Sequence, residues 1–397
     1  MVLGAAGGIA AYKAAELLRQ LTGTGHDVRV VPTEGALRFV GEPTWAALSG
    51  HPVHTGVWSD AHEVPHVLLG READLVVVAP ATADLLARAA HGLAADLLTS
   101  TLLTARCPVL VAPAMHTEMW EHPATRANVA TLRERGTIVL DPAVGRLTGA
   151  DTGRGRLPDP VDVADLARLL LADPGALPRD LAGRRVLVTA GGTREALDPV
   201  RFLGNRSSGR QGYALALVAA ARGADVTVVA ANVALPDPTG ATVLRVGSAA
   251  ELHDVTLSAA RDVDAIVMAA AVADFRPAMA ESAKIKKDAG APPVVLAPTP
   301  DVLADLLAAR RPGQVIAGFA AETGDDQADW LEHGRRKLAR KAVDLLVVNP
   351  VGGGRAFEQK DNSGVVLTAD GGEIEIPPGP KASLAATVWT LVADRLR

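Results

Sequence analysis

RVLVTAGG, residues 185–192, restarts a plan that the chain has already used once. A short β-branched run ends in small residues and paired glycines, and an amphipathic stretch follows. The opening VLGAAGG, residues 2–8, has the same layout. Working outward from both, short apolar runs alternate with Ala/Leu-rich amphipathic stretches. That alternation predicts parallel sheets with crossover helices. The fold class is α/β, with two Rossmann-like doubly wound domains. The loops that follow the two glycine turns differ throughout, so the halves are separate domains and not a tandem repeat.

In the first half, strands are predicted at 1–3, 27–32, 74–80, 107–113 and 137–140. Helices are predicted near 9–22, 83–91, 95–105 and 124–135. The opening strand is short for a buried parallel strand, which points to a start further upstream or a trimmed end. ADPGALPRDLAG, residues 172–183, is Gly/Pro-punctuated and aperiodic, so it reads as a linker. The expected domains are 1–172 and 184–397, with 173–183 between them. Strands of the second half are placed at 185–192, 225–231, 264–271, 314–320 and 343–349. GVVLTADGGEIEI, residues 364–376, carries a DGG turn and reads as a hairpin.

Composition narrows the function. The chain has 397 residues, 48% hydrophobic and 21% charged, enough for two or three cored domains. A net charge of −5 argues against nucleic-acid binding. No apolar run reaches membrane-spanning length and no signal-peptide pattern opens the chain. The single cysteine, Cys107, excludes an internal disulfide framework. A cytoplasmic protein is expected. Only eight lysines accompany thirty-two arginines, and five of the eight lie between 284 and 341. A lysine kept among arginines suits phosphate neutralisation, and a solvated basic face is the plainer alternative.

Several motifs carry chemistry. GAAGGIAAYK (4–13) is a glycine turn opening a helix, where backbone N–H groups meet an anion. It lacks the dinucleotide fingerprint and the ribose acid, so it fits a mononucleotide phosphate such as that of FMN, or an ordinary tight turn. APAT (79–82) forms a flat shelf of small residues suited to a planar ring. HEVPH (62–66) matches a zinc pattern formally, but Pro65 interrupts the helix that the pattern needs. PAMHTEMW (113–120) crowds Met115 and His116 at a strand's C-terminal end. GGTREALDPVRFLGNRSSGR (191–210) concentrates donors before an apolar helix: Thr193, Arg194, Arg201, Asn205, Arg206, Ser207, Ser208 and Arg210. Asp274 follows a buried strand, with Lys284, Lys286 and Lys287 close behind. An acid beside lysines suits a nucleoside triphosphate bridged by Mg²⁺. Lys337 and Lys341 share a helical face at i, i+4.

GGIAAYK, APATAD, PAM, GGTREALDPVRF, NRSSG, AAAVADFRP, KIKK and GFAAET occur in that order. Together they resemble the bifunctional bacterial enzymes of coenzyme A synthesis, phosphopantothenoylcysteine decarboxylase / phosphopantothenate–cysteine ligase. The resemblance spans nearly the whole chain. It implies a flavodoxin-like decarboxylase domain and a nucleotide-binding ligase domain. FMN would contact Gly7, Gly8, Ile9, Thr33, Ala79, Pro80, Ala81, Thr82 and Met115, with His66 and His116 catalytic. Asn205 would hold an acyl-cytidylate and Lys284 would act on it. CTP would contact Met268, Ala269, Ala270, Asp274, Lys284, Pro300, Asp301, Val302, Leu303, Phe319, Lys337 and Lys341, with Asp274 near Mg²⁺. The substrates would be 4′-phosphopantothenate, cysteine and CTP. The assembly would be a homo-oligomer, a dodecamer of N-terminal trimers and C-terminal dimers.

Two positions depart from the family pattern. His116 stands where relatives commonly hold Asn, and Gly149 stands where they commonly hold a proton-donating Cys. The chain therefore reads as the bifunctional enzyme. The competing readings are a working ligase with an impaired decarboxylase, and a non-catalytic flavin- or nucleotide-binding regulator. A nicotinamide dehydrogenase lacks its glycine fingerprint.

Overall fold

The computed structural model describes residues 1–54, 65–147, 151–286, 293–325, 328–351, 359 and 361–397. The chain divides into two compact units, Met1–Pro178 and Arg179–Arg397. Among the described residues, no helix is long and apolar enough to cross a membrane.

The first unit alternates strands and helices in chain order. It runs β1 (Val2–Ala5), α1 (Ala11–Thr22), β2 (Arg29–Pro32), α2 (Glu34–Leu37), α3 (Glu42–Ser49), α4 (Pro65–Glu72), β3 (Val76–Ala81), α5 (Ala83–His91) and α6 (Leu97–Thr104). Then follow β4 (Val109–Pro113), α7 (Thr117–Glu121), α8 (Pro123–Glu134), β5 (Ile138–Val139), the antiparallel pair β6 (Ala143–Arg146) and β7 (Thr152–Arg156), and α9 (Pro160–Ala172). The five-stranded parallel sheet has the order β2-β1-β3-β4-β5. β3 is buried along its whole length, as a central parallel strand covered on both faces must be. The chain's direction across the sheet reverses between β1 and β3. In such sheets a crevice opens at that switch point, outside the strands' C-terminal ends.

The second unit contains β8 (Arg185–Gly191), β9 (Arg194–Ala196), β10 (Phe202–Gly204), α10 (Arg210–Ala221), β11 (Asp225–Ala231), β12 (Ala241–Val246), α11 (Ala249–Ala259), β13 (Ala265–Met268), β14 (Phe275–Pro277) and β15 (Leu296–Pro298). It ends with α12 (Val302–Ala308), β16 (Val315–Glu322), α13 (Trp330–Lys341), β17 (Leu345–Pro350), the hairpin β18 (Asp361–Thr368) and β19 (Glu373–Pro380), and α14 (Lys381–Arg395). Its eight-stranded sheet has the order β12-β11-β8-β13-β16-β17-β18-β19, parallel up to β17 and antiparallel after it. The parallel part is the doubly wound Rossmann order, with its switch point between β8 and β13.

The predicted strands align with observed ones, and the DGG turn joins β18 to β19. β12 escapes the sequence reading. It is an edge strand that alternates half-buried and exposed residues, so it lacks the apolar run that marks the central strands. The short helices α3 and α4 and the longer α9 also escape it. The division between the units falls within residues 173–183, where Ala176, Leu177 and Leu181 are buried.

Candidate functional sites

In the first unit, the residues at the C-terminal ends of β1, β3 and β4 converge. Ala6 N donates to Pro80 O at 3.0 Å, and Ala114 N donates to Ala81 O at 3.0 Å. Thr33 N donates to Ala5 O at 2.9 Å. Gly7 is required by space: a Cβ there would stand 2.8 Å from the backbone of Gly35. A Cβ at Gly8 would lie 3.6 Å from the Thr82 methyl. Gly7, Gly8, Thr33, Pro80, Ala81 and Thr82 thus lie together at the switch-point edge of the sheet, with Ile9 beside them, 67% exposed. Thr33 and Thr82 cap α2 and α5 through their hydroxyl oxygens. The α1 entrance has no side-chain cap and no acid in its first turn, so its dipole is open to an anion, while Ala11 N and Lys13 N already donate to Gly8 O and Ala10 O at 2.9 and 3.0 Å.

Met115 and His116 follow β4 at the same edge. Met115 packs partly against the apolar cluster under β3 and β4. His116 is half-buried at the start of α7, and its side chain does not cap that helix. His66 lies in the first turn of α4, where Thr104 Oγ1 donates to its carbonyl at 2.7 Å. His66 Nδ1 is buried without a hydrogen-bond partner among the described residues. Pro65 opens α4 and does not interrupt it, since the first helical turn needs no N–H from proline. His62 and Gly149 fall outside the described residues. Cys107 cannot replace a donor at position 149. It precedes β4, roughly 20 Å of extended chain from the crevice edge. Burial also pushes its thiol pKa up.

In the second unit, a cavity of about 760 Å³ opens over the C-terminal ends of β13 and β16, beside the switch point. Met268, Ala270 and Asp274 line it from the segment after β13, and Pro300, Asp301, Val302 and Leu303 line it from the start of α12. Phe319 comes from β16, and Lys337 and Lys341 from α13. Ala269 does not line it. Threonines string the 270–274 backbone in place. Ala270 N donates to Thr189 Oγ1 at 3.0 Å and Ala273 N to Thr193 Oγ1 at 2.9 Å, while Thr299 N donates to Asp274 O at 3.0 Å. Thr189 was missed in the sequence reading, and its signal is a hydroxyl in an otherwise apolar strand. Arg340 also lines the cavity and was missed. It sits three residues after Lys337, on the same helical face.

Both cavity lysines have carboxylate partners. Lys337 Nζ lies 3.1 Å from Glu322 Oε1, and Lys341 pairs closely with Asp301. Burial would raise the Asp301 pKa, but its bonds from Lys341 and the Ala304 N–H prevail and hold it low. Among the described residues, no cluster of three or more His, Cys, Asp or Glu could hold a metal.

Asn205 is exposed, and its carbonyl lies 3.0 Å from where a Cβ of Gly192 would stand, just past β8. That places it on the other side of the switch point. Lys284 does not line the cavity; it is exposed on a loop pinned to Asp198. Ile285 N donates to Asp198 Oδ2 at 3.1 Å, and Arg201 Nη2 donates to Ile285 O at 2.7 Å. The donor density of 191–210 is therefore partly spent internally. Thr193 is buried, Arg194 stacks 4.6 Å from the Phe202 ring centroid, and Arg201 binds Asp198. Lys287 falls outside the described residues.

Fold and sites define a two-unit α/β protein with a candidate ligand site at the switch point of each Rossmann-like unit. Residues 1–171 match the flavoprotein family model, and residues 181–396 match the C-terminal domain of DNA/pantothenate metabolism flavoproteins. The coenzyme A biosynthesis bifunctional protein CoaBC of Mycolicibacterium smegmatis is 61% identical over 404 residues, covering 100% of this chain and 98% of that one. Its counterpart in Bacillus subtilis is 40% identical over 398 residues, covering 99% and 96%. A crystal structure of the C-terminal domain of such a protein matches at a TM-score of 0.46 and 33% identity, covering 55% of this chain and 98% of that one. The chain belongs to the family of bifunctional coenzyme A biosynthesis proteins, which unite a decarboxylase and a ligase.

Proposed function

We propose that the second unit joins 4′-phosphopantothenate to cysteine using CTP, and that the first unit decarboxylates the product to 4′-phosphopantetheine using FMN. One observation carries the reading. The cavity over β13 and β16 gathers Asp274, Asp301, Phe319, Lys337 and Lys341 from four separate segments at a Rossmann switch point.

A carboxylate is a poor acyl donor, because hydroxide is a poor leaving group. Transfer to the CTP α-phosphate releases pyrophosphate and leaves an acyl-cytidylate, which the cysteine amine attacks. Phe319 offers a ring face beside the nucleotide. Incoming phosphates take Lys337 and Lys341 from Glu322 and Asp301. Asp274 and Asp301 are hard oxygen donors. They are too few to hold Mg²⁺ alone, so it arrives on the triphosphate and is held mainly by it. Asn205 holds the acyl-cytidylate from the β8 side, and Lys284 reaches it from the loop pinned to Asp198.

In the first unit the residues fit a flavin mononucleotide. Gly7, Gly8 and the uncapped α1 entrance suit a phosphate, and the small residues 79–82 suit a planar ring. Bound FMN would supply the redox chemistry that gives the departing carboxylate an electron sink. His116, at the rim, faces the substrate carboxylate and holds or delivers a proton in place of the family's usual Asn and Cys. His66, whose buried Nδ1 has no partner among the described residues, completes the site where subunits meet. The reading includes a cytoplasmic homo-oligomer of N-terminal trimers and C-terminal dimers. Exposed apolar side chains support it: Phe202, Phe275, Val294 and Val295 in the second unit, and Ile9 and Tyr12 in the first.

The test supplies 4′-phosphopantothenate, cysteine, Mg²⁺ and either CTP or ATP, and follows pyrophosphate, CO₂ and both products by mass spectrometry. Pyrophosphate release with CTP, followed by CO₂, is expected. No pyrophosphate at saturating substrates removes the ligase. Accumulated phosphopantothenoylcysteine without CO₂ removes the decarboxylase. If wild type decarboxylates and His116→Asn does not, His116 is a working substitute.

A further inference from the structure

We infer that Gly153 and Gly155 are positioning residues for decarboxylation: β7 fixes the His116 loop through contacts that only glycine permits. The inference rests on the reading of the first unit's crevice given above.

Met115 N donates to Gly155 O at 2.9 Å, so β7 lies directly against the loop after β4. A Cβ on Gly155 would stand 2.1 Å from the Met115 carbonyl oxygen and 3.3 Å from the His116 carbonyl carbon. A Cβ on Gly153 would stand 2.2 Å from Thr117 Oγ1. Cβ atoms essentially never approach closer than 3.0 Å, so a methyl on Gly155 must part strand and loop by about 1 Å, its obstacle being backbone, while one on Gly153 must displace the Thr117 side chain or the loop that carries it. Neither glycine has a positive φ, so both are needed for space and not for backbone shape. Two residues apart, they share one face of β7. Arg154 and Arg156, on the other face, are exposed.

The two contacts bracket His116. One lands on Met115, the residue before it, and the other on Thr117, the residue after it. The His116 side chain makes no cap bond to α7 that could hold the loop from within. Thr117 Oγ1 is buried without a hydrogen-bond partner among the described residues, so its contact with β7 is steric. The His116 carbonyl accepts from Met119 N at 3.1 Å and Trp120 N at 3.0 Å, so α7 holds the turn from one side and the approach of β7 sets where the turn and its imidazole sit from the other. A shift of about 1 Å at a reacting centre costs about a hundredfold in rate.

The test uses the full-length protein and measures kcat and KM for decarboxylation of 4′-phosphopantothenoylcysteine. It also records the visible flavin spectrum and pyrophosphate release by the same preparation. For Gly155→Ala the expected result is a fall in kcat of about tenfold to a hundredfold. The flavin should stay bound, and the pyrophosphate rate should stay at the wild-type level. Gly153→Ala should show the same defect, and Thr117→Ala in the same chain should return it to the level of Thr117→Ala alone, because the obstructing oxygen is gone. Gly155→Ala should not be rescued by Thr117→Ala, since its obstacle is backbone. The inference is overturned if Gly155→Ala decarboxylates normally while His116→Ala is impaired. Loss of flavin from Gly155→Ala, or failure of the Gly153/Thr117 rescue, also overturns it. If His116→Ala itself decarboxylates normally, the reading of the loop fails and takes the inference with it.

Discussion

Asp198 carries the corner on which the Lys284 loop rests. Its side chain is fully buried and accepts from Val200 N at 2.8 Å, Arg201 N at 2.7 Å, the Arg201 guanidinium and Ile285 N. Burial would raise its pKa, but these donors outweigh it and hold the carboxylate well below its ordinary 3.8. The folded-state pKa is therefore the lower one. The stabilisation is complete above 3.8 and is lost as pH falls through the folded value. Asp198→Asn should lower ligation about tenfold by freeing the loop, as expected for a misplaced reacting group. Urea denaturation should show a wild-type advantage over Asp198→Asn that is constant from about pH 7 to 5 and shrinks below about pH 4. Unchanged ligation, or an advantage that grows with acid, would sink this assignment. DPVR was legible in the chain as a motif. That its acid faces inward was not, because only the fold brings Ile285 to it.

At the scale of elements, the chain's own patterns placed most of the sheet. Central strands carry continuous apolar runs because both faces are covered. Edge strand β12 carries no such run, and the same physics that reveals β3 hides it. α13 was legible through the spacing of Lys337 and Lys341, but their counter-ions were not, since Glu322 and Asp301 come from distant segments. Arg222, at the end of α10, has the same character. It looks like a surface cation in sequence and is fully buried in the fold. It grips Asp180 through two nitrogens and donates to Ala386 O at 3.0 Å and Thr390 Oγ1 at 3.1 Å, tying α10 to α14 and to the start of the unit. Arg222→Ala leaves Asp180 without its partner. It should destabilise the second unit by about 3–5 kcal/mol, read as a lower urea midpoint. A change under about 1 kcal/mol would show that the pair contributes nothing net.

At the scale of the molecule, each unit has one switch point and an exposed apolar surface. In the second unit that surface includes Phe275 at 53% and Val295 at 69% exposure, alongside β14 and β15. The proposed C-terminal dimer covers it. Val295→Asp should cut the assembly mass seen by light scattering to about a quarter, that of the N-terminal trimer, because a charge placed in a dry contact must be desolvated. An unchanged mass would place the dimer contact elsewhere. Motif order and periodicity, both properties of near neighbours in the chain, marked two Rossmann-like units, their glycine turns and the lysine-bearing helix. Tertiary structure alone decided which residues meet. It put Asp274, Asp301, Phe319 and the α13 lysines around one cavity, left Lys284 outside it on the Asp198 corner, and laid β7 against the His116 loop. The reason is physical. Local propensity and hydrophobic period act over a few residues, whereas a site is assembled by sheet order and close packing between segments tens of residues apart.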